Sequence, residues 1–458
     1  DGRVDLDSIN IGSETSIGAL APPGSHVRQG IESPHARRPH QQHANLKGES
    51  NMRLSSALLL AISLLSAPVS SMAEIDPALT GLAAGGGDAT SVFFSPAAIT
   101  RLDKSELVLQ TAFVYQESKF RVDESTITGG NSDNDEKFLL IPGAYYVRPL
   151  GERLRLGVSV NVPSGIGHDY GKSWSGRYLS EESNLAFLAA AAPLAYRLTD
   201  RWSVAAGPYL IYTDSRTKAR VNNILPEFGD GNVRLEEDGA ALGWLAGIMY
   251  EPTPTTRFAA SYKSSVDPKL EGTPSFNNLD PLVREALAAA DLLGTEVDVD
   301  FKVPAMAQGG FYTEFGDRWS ATGDVVWINM SEFGITRVSV GEDRITVRDG
   351  GYRDSWMGSA GLKYRYREDR AVSVGAMYFR SPISDGNRNI ALPFDRVFGV
   401  GGGAERPCWG FQCKMSLNYF DLGDGDLAED GGPLLGSIEG SFSKNWAVML
   451  DIQLRKIF

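Results

Sequence analysis

Cysteine, histidine and long apolar runs are all scarce in this chain, and each scarcity excludes something. Beyond residue 73 the longest apolar stretch, Leu185 to Tyr196, is 12 residues long and contains Pro193. A bilayer-crossing helix needs roughly 20 apolar residues, so a helical membrane protein is excluded. Four of the five histidines, His26, His35, His40 and His43, fall within the first 51 residues, which leaves His168 alone in the remainder. Serine hydrolase chemistry wants a histidine beside its nucleophile, and no Gly-x-Ser-x-Gly elbow accompanies His168. Phosphate loops, metal clusters and dinucleotide fingerprints are also missing, so no enzymatic activity, cofactor or metal is expected. Basic residues are outnumbered, 44 Lys and Arg against 57 Asp and Glu, and the net charge of −13 argues against a nucleic-acid partner.

The two cysteines, Cys408 and Cys413, flank Trp409-Gly410-Phe411-Gln412. With no histidine or third cysteine nearby, metal binding is not expected. A small disulfide-closed turn suits an oxidising compartment, and a pair of free thiols is the other reading.

Export is written into the front of the chain. Met52-Arg53, the apolar run Ala57 to Ala67 and the small-x-small exit Ser71-Met72-Ala73 have the layout of a secretory signal peptide, placed here at 52–73. Residues 1–51 show no periodic apolar pattern and would keep a signal from being N-terminal. They are read as a non-native leader from start-site choice, or else as a disordered extension.

Toward its C-terminus the chain alternates. From Trp446 to Phe458, Trp446, Val448, Leu450, Ile452, Leu454 and Phe458 are apolar, with Asp451, Gln453 and Arg455 on the other parity. Period-2 patterning of this kind makes a strand with one oily face. Taken alone it also suits a soluble sandwich. Leu154 to Val162, Trp202 to Tyr212 and Trp356 to Tyr366 repeat the pattern. Strands are expected to start near 105, 137, 154, 183, 202, 239, 256, 295, 319, 345, 371, 394, 413 and 441, which makes about 14.

Connectors alternate between short (Thr199-Asp200-Arg201, Gly316-Asp317-Arg318) and long, and aromatics such as Trp202, Tyr212, Trp319, Trp327 and Trp356 mark the strand ends. An all-β transmembrane barrel has this signature: short periplasmic turns, long outer loops and two aromatic girdles. A mean hydropathy of −0.18 fits it, because only alternate residues face lipid. The barrel is placed at 105–458. Gly81 to Arg101 is too glycine-rich and irregular for a strand, and such backbone is tolerated at membrane depth only inside protein. For residues 74–104 this allows enclosure by protein.

Several motifs recur in a fixed order. Asp88-Ala89 precede Ser95-Pro96-Ala97; then come Pro163-Ser164-Gly165-Ile166-Gly167, Trp174-Ser175-Gly176-Arg177-Tyr178, Tyr352-Arg353-Asp354-Ser355-Trp356, Ser381-Pro382, Asn387-Arg388, Leu392-Pro393 and Asp395-Arg396. With the terminal Phe458, this order resembles the outer-membrane long-chain fatty-acid transporter family (FadL/TodX-like, OmpP1-type). Ser95 stands where that family has asparagine, and Lys456 where an aromatic is usual.

The resemblance implies uptake of a long-chain fatty acid or another hydrophobic small molecule. It assigns residues 74–104 to a small hatch within the lumen. The path runs from outer loops to a barrel pocket and then sideways past the hatch. It also implies a monomer lodged in outer-membrane lipid and lipopolysaccharide, inserted by the barrel-assembly machinery. Capture is assigned to Phe276 to Leu293, with Asp280 as cap, Pro281 at the first helical position and Gly294 as terminator. Phe276, Leu279, Leu282, Val283 and Leu287 supply its apolar surface, for ligand contact or for loop packing. The lateral opening is placed at Pro163, Gly165 and Gly167, since proline lacks an N–H and glycine permits unusual torsions; an ordinary strand end is the alternative. A carboxylate head group favours arginine, with Arg177 first and Arg353, Arg388 and Arg396 behind it, unless these pair with Asp354 or Asp395. A general diffusion porin is the alternative function, and an adhesin or structural barrel a third.

Overall fold

The computed structural model describes residues 83–458, apart from 86, 134, 342, 347–350 and 391–394. The leader 1–51, the signal segment 52–73, the first part of the expected hatch and Leu392-Pro393 lie outside the described residues.

One closed antiparallel sheet of fourteen strands is formed, several of them broken into shorter hydrogen-bonded segments. The first six are β1 (Glu106–Ser125), β2 (Asp135–Pro149), β3 (Leu154–Asp169), β4 (Glu182–Ala191 with Leu194–Arg197), β5 (Trp202–Val221) and β6 (Gly231–Thr253). Next come β7 (Thr256–Lys263, Lys269–Gly272 and Ser275–Asn277), β8 (Val297–Lys302 and Met306–Phe315), β9 (Trp319–Ile328 and Gly334–Val340) and β10 (Asp343–Thr346 and Ser355–Arg367). β11 (Arg370–Phe379), β12 (Val397–Cys408), β13 (Phe411–Asp421 and Leu427–Asp430) and β14 (Ser437–Ile457) complete the ring. β14 pairs with β1 from Glu106↔Ile457 to Ser125↔Ile438, so the sheet has no outer edge. Closure is what lets strands cross hydrocarbon, where an unpaired backbone group costs several kcal/mol.

Side-chain parity decides the faces. On β5, Ser203, Ala205, Tyr209, Ile211 and Thr213 are buried, while Trp202, Leu210 and Tyr212 point outward. Near the short turns, Trp202 stacks on Tyr250 with ring centroids 4.4 Å apart, and Trp319 lies 4.7 Å from Tyr364. Toward the long loops, Tyr115 lies 5.0 Å from Phe138 and 5.5 Å from Trp446. Trp202 and Tyr212 mark the two girdles on one strand. Ten residues at ~3.3 Å, tilted ~40°, put them ~25 Å apart along the membrane normal, the height of an outer-membrane apolar band.

Strand starts fall close to the expected positions, with two informative exceptions. β6 begins at Gly231 rather than near 239, and β14 at Ser437 rather than 441. Above the outer girdle the polarity inverts. On β6, Val233 and Leu235 face inward and are buried, while Arg234 and Glu236 face water. The lipid-facing pattern stops at the girdle although the strand continues.

The first described segment, residues 83–102, packs against the strands. Ser91–Phe94 forms one helical turn, α1, and Pro96–Arg101 continues as a 3-10 helix with proline at its start, where no N–H is needed. Val92, Ala98 and Ile99 are wholly buried. Polar bonds radiate from it to strands all round the ring. Ala83 N–H donates to Asp324 of β9 at 2.9 Å, and Ala89 N–H to Glu106 of β1 at 2.7 Å. Thr100 donates to Ser203 of β5 at 2.8 Å, and Arg155 of β3 to the Leu102 carbonyl at 2.6 Å. Arg257 of β7 donates to the Ala84 carbonyl, and Lys414 of β13 pairs with Asp88. A single segment reaches six strands of a closed ring only from inside it. Burial alone would raise the Asp88 carboxyl; the Lys414 ammonium and the Thr90 hydroxyl override it and hold it well below the ordinary carboxylate range.

Candidate functional site

Where this plug meets the wall there is a largely apolar cavity, enclosing about 910 Å³ of non-atom space including its solvent-open part. Phe93 and Phe94 face it from the plug; Phe187, Ile211, Val326, Ile328 and Met357 face it from the strands. Among its lining residues one is charged, Lys263, which closes the first segment of β7. Its Nζ lies 3.6 Å from the centre of the Phe93 ring, a cation–π distance. Arg257, Ala259 and Ser261 share its inward parity, while Phe258 faces lipid. The Phe94 carbonyl accepts from Ser261 at 2.9 Å and from Gln308, which fixes both plug aromatics against β7 and β8. The lining offers apolar contact over most of its surface and a cation at one point.

Pro163 and Ser164 line the same cavity. The β2–β3 ladder runs from Pro149↔Arg155 to Gly143↔Asn161 and stops there. β3 then pairs with β4 alone, after a register shift between Asn161 and Ser164. Proline has no N–H to continue the ladder, and Pro163 lies within this irregular stretch. The glycines act differently from expectation. Neither Gly165 nor Gly167 is among the residues with positive φ. They permit close approach instead: a Cβ on Gly165 would stand 3.3 Å from the Leu185 carbonyl oxygen, and one on Gly167 would overlap Asn184. Beside the break, Phe138 and Leu140 of β2 are 82 % and 62 % exposed.

Capture residues are only partly where the sequence puts them. The helix α2 spans Pro281–Ala289, capped by Asp280, whose carboxylate accepts from the Val283 N–H at 2.8 Å and the Leu225 N–H at 2.9 Å. It ends at Ala290, before Gly294. Asp291, at φ 54°, already takes the left-handed turn, so Gly294 is not the terminator. Leu279 and Leu287 are buried, and Phe276 and Val283 pack against the main core, so much of this apolar surface holds the loop down. Leu282 alone of the five points out, at 47 % exposure. The neighbouring loop adds Ile224 and Phe228, both exposed, and is tied to α2 by the Ile224 N–H on Asp280 at 2.5 Å and Asn278 on the Phe228 carbonyl at 2.8 Å.

The arginines are occupied. Arg177 donates to Asp230 at 2.7 Å, to the Thr128 carbonyl at 2.7 Å and to Tyr178 at 3.1 Å, and so pins outer loops to one another. Arg388 pairs with Asp385 at 2.9 Å and Asp395 at 3.6 Å, and Arg396 with Asp421 at 3.5 Å. Arg353 donates to the Ser381 carbonyl. Asp354 takes Trp327 and Ser331 instead of an arginine. None of the four is among the residues lining the cavity. Ser95, Pro96 and Ala97 form the bend of the plug, and a Cβ on Gly247 of β6 would come within 3.0 Å of Pro96. Cys408 and Cys413 are bonded across the β12–β13 turn, where Trp409 and Gly410 both have positive φ, as a two-residue type I′ hairpin requires.

A closed strand ring with an oily belt, a segment packed inside it and an apolar side pocket defines an outer-membrane transport barrel. The family model described as outer membrane protein transport protein (OMPP1/FadL/TodX) matches residues 65–412, and the chain belongs to that family, whose members are transport channels rather than enzymes. The long-chain fatty acid transport protein of Escherichia coli (strain K12) is 22 % identical over 397 residues, covering 76 % of this chain and 87 % of that one. Among solved structures, a FadL homologue of Pseudomonas aeruginosa superposes with a TM-score of 0.76 at 17 % identity, over 86 % of this chain and 99 % of its own. The toluene transporter TodX of P. putida gives 0.62 at 17 % identity, over 84 % and 99 %.

Proposed function

We propose that this barrel takes up long-chain fatty acids or closely similar hydrophobic acids across the outer membrane. Ile224, Phe228 and Leu282 form the first apolar contact on the outer loops. Cargo then passes to the cavity, its chain against Phe94, Phe187 and Ile211 and its carboxylate at Lys263, in the role the sequence motif assigns to Arg177. It leaves sideways where the β2–β3 ladder ends. The observation that carries this reading is that one cavity touches both the plug, at Phe93, and the ladder break, at Pro163, and holds a single charge. A cation on the wall of an apolar pocket favours an acid over a neutral hydrocarbon, because it attracts a carboxylate that a hydrocarbon lacks. A segment packed inside the bore does not suit general diffusion. The chain works as a monomer in outer-membrane lipid, its rim among lipopolysaccharide, once the barrel-assembly machinery has inserted it.

Displacement of a fluorescent fatty acid from refolded protein tests binding, and uptake by cells carrying Pro163→Val, Gly165→Val and Gly167→Val together tests the exit. Binding is expected, with uptake lost in the triple variant while the barrel still assembles. Failure to bind any acyl or aromatic hydrophobe removes the transporter reading; unchanged uptake in the triple variant removes the lateral exit.

A further inference from the structure

We infer that Asp135 and His168 form a clasp that keeps the extracellular end of the lateral window shut while cargo leaves below it. The clasp rests on the proposed lateral exit. Below, the window is bounded by the Gly143↔Asn161 pair. Above, the two chains rejoin at one backbone bond, from the Asp133 N–H to the Tyr170 carbonyl at 2.9 Å. Just inside that upper end, Asp135 of β2 and His168 of β3 meet across the gap, Oδ2 to Nδ1 at 3.4 Å.

Both side chains are more than nine-tenths buried; Oδ2 and Nδ1 face each other at ion-pair distance rather than in a hydrogen bond, and neither atom has a hydrogen-bond partner. Parting them gives up the one polar contact either atom makes, and no hydrogen-bond partner stands ready to replace it. The imidazole is also held from behind. It stacks on Tyr170 with centroids 5.4 Å apart and interplanar angle 11°, and the Tyr170 hydroxyl donates to the Ile390 carbonyl at 2.9 Å. One step lower, Lys137 reaches across β3 over Gly167 to Asn184 Oδ1 at 3.1 Å. The open edge is thereby reduced to residues 138–142 of β2, ~16 Å of strand. The clasp separates that lipid-facing gap from the aqueous loops, so the window opens to the bilayer and not to the outside.

The test is a double variant, Asp135→Cys with His168→Cys, compared oxidised and reduced with wild type treated alike, since the native Cys408–Cys413 bond also meets reductant. Uptake of radiolabelled oleate and entry of a hydrophilic antibiotic are both read. The cross-linked protein is expected to take up oleate at the wild-type rate and to exclude the antibiotic; reduced, it leaks. A His168→Gln variant, which keeps the ring's approximate volume, gives the leak readout should the double variant fail to assemble. Loss of uptake on cross-linking, or equal leakage in both states, overturns the clasp. The Pro163, Gly165 and Gly167 triple variant run alongside separates the causes. If it abolishes uptake while cross-linking also does, the lateral exit stands and only the clasp fails; if it leaves uptake intact, the exit itself is wrong.

Discussion

Gly157 of β3 and Val92 of the plug are in such close contact that a Cβ on the glycine would come within 2.7 Å of a valine methyl. Gly157→Val should therefore push the plug inward at a cost of about 1–3 kcal/mol, typical of overpacking. The β2–β3 pair Val147↔Gly157 uses only backbone, so the barrel should still form. Single-channel recording checks this: ion conductance through Gly157→Val should exceed that of wild type, with normal heat-modifiable migration of the folded barrel.

Lys263→Met keeps the length of the side chain and removes its charge. Affinity for oleate should fall about 10–100-fold, the worth of a charge-assisted hydrogen bond of about 1.5–3 kcal/mol, while affinity for a neutral hydrocarbon of similar length holds or improves. Competition against a fluorescent acyl probe measures both. An equal loss for both ligands would mean that Lys263 matters only for holding Phe93.

On the outer loops, Phe228→Asp with Leu282→Asp should slow uptake at low oleate concentration without changing equilibrium affinity for the cavity. Both side chains are exposed, so folding should be spared. Initial uptake rates across a concentration series, set beside binding to purified protein, make the distinction.

Strand number and order are legible in the sequence because lipid imposes one rule on every strand, apolar outward at every second position. Where lipid ends the rule ends, and so the pattern misplaces the start of β6: Val233 and Leu235 carry the inward parity that Arg234 and Glu236 would have inside the membrane. Pro163 is legible as part of an irregular stretch because a missing N–H acts locally. Lys263 escapes the sequence pattern because it closes a strand segment and passes for a turn residue, although its parity with Arg257 and Ser261 marks it as inward. Arg177 stands out by its motif alone. Its engagement by Asp230, Thr128 and Tyr178 depends on loops far apart in sequence, which no local pattern reveals.

Glu429 gives the outer loops a pH dependence. Burial raises its carboxyl to about 7, against a bond from the Ile390 N–H at 2.8 Å that works the other way. Its acidic form is the one the folded loops prefer. Its stabilising effect is complete below the ordinary glutamate value, declines as pH rises from there, and is lost above about 7. Hydrogen exchange in the 170–181 loop, corrected for intrinsic rate, should show protection falling between pH 5 and about 8 in wild type. In Glu429→Gln it should stay flat.

A structure of the refolded barrel soaked with oleate puts the central claim to the most direct test. An acyl chain lying between Phe93, Phe94 and Pro163, with its carboxylate against Lys263 and its tail toward the end of the β2–β3 ladder, is the predicted result. Oleate bound elsewhere with this cavity unchanged, or no bound oleate at saturating concentration, would contradict it.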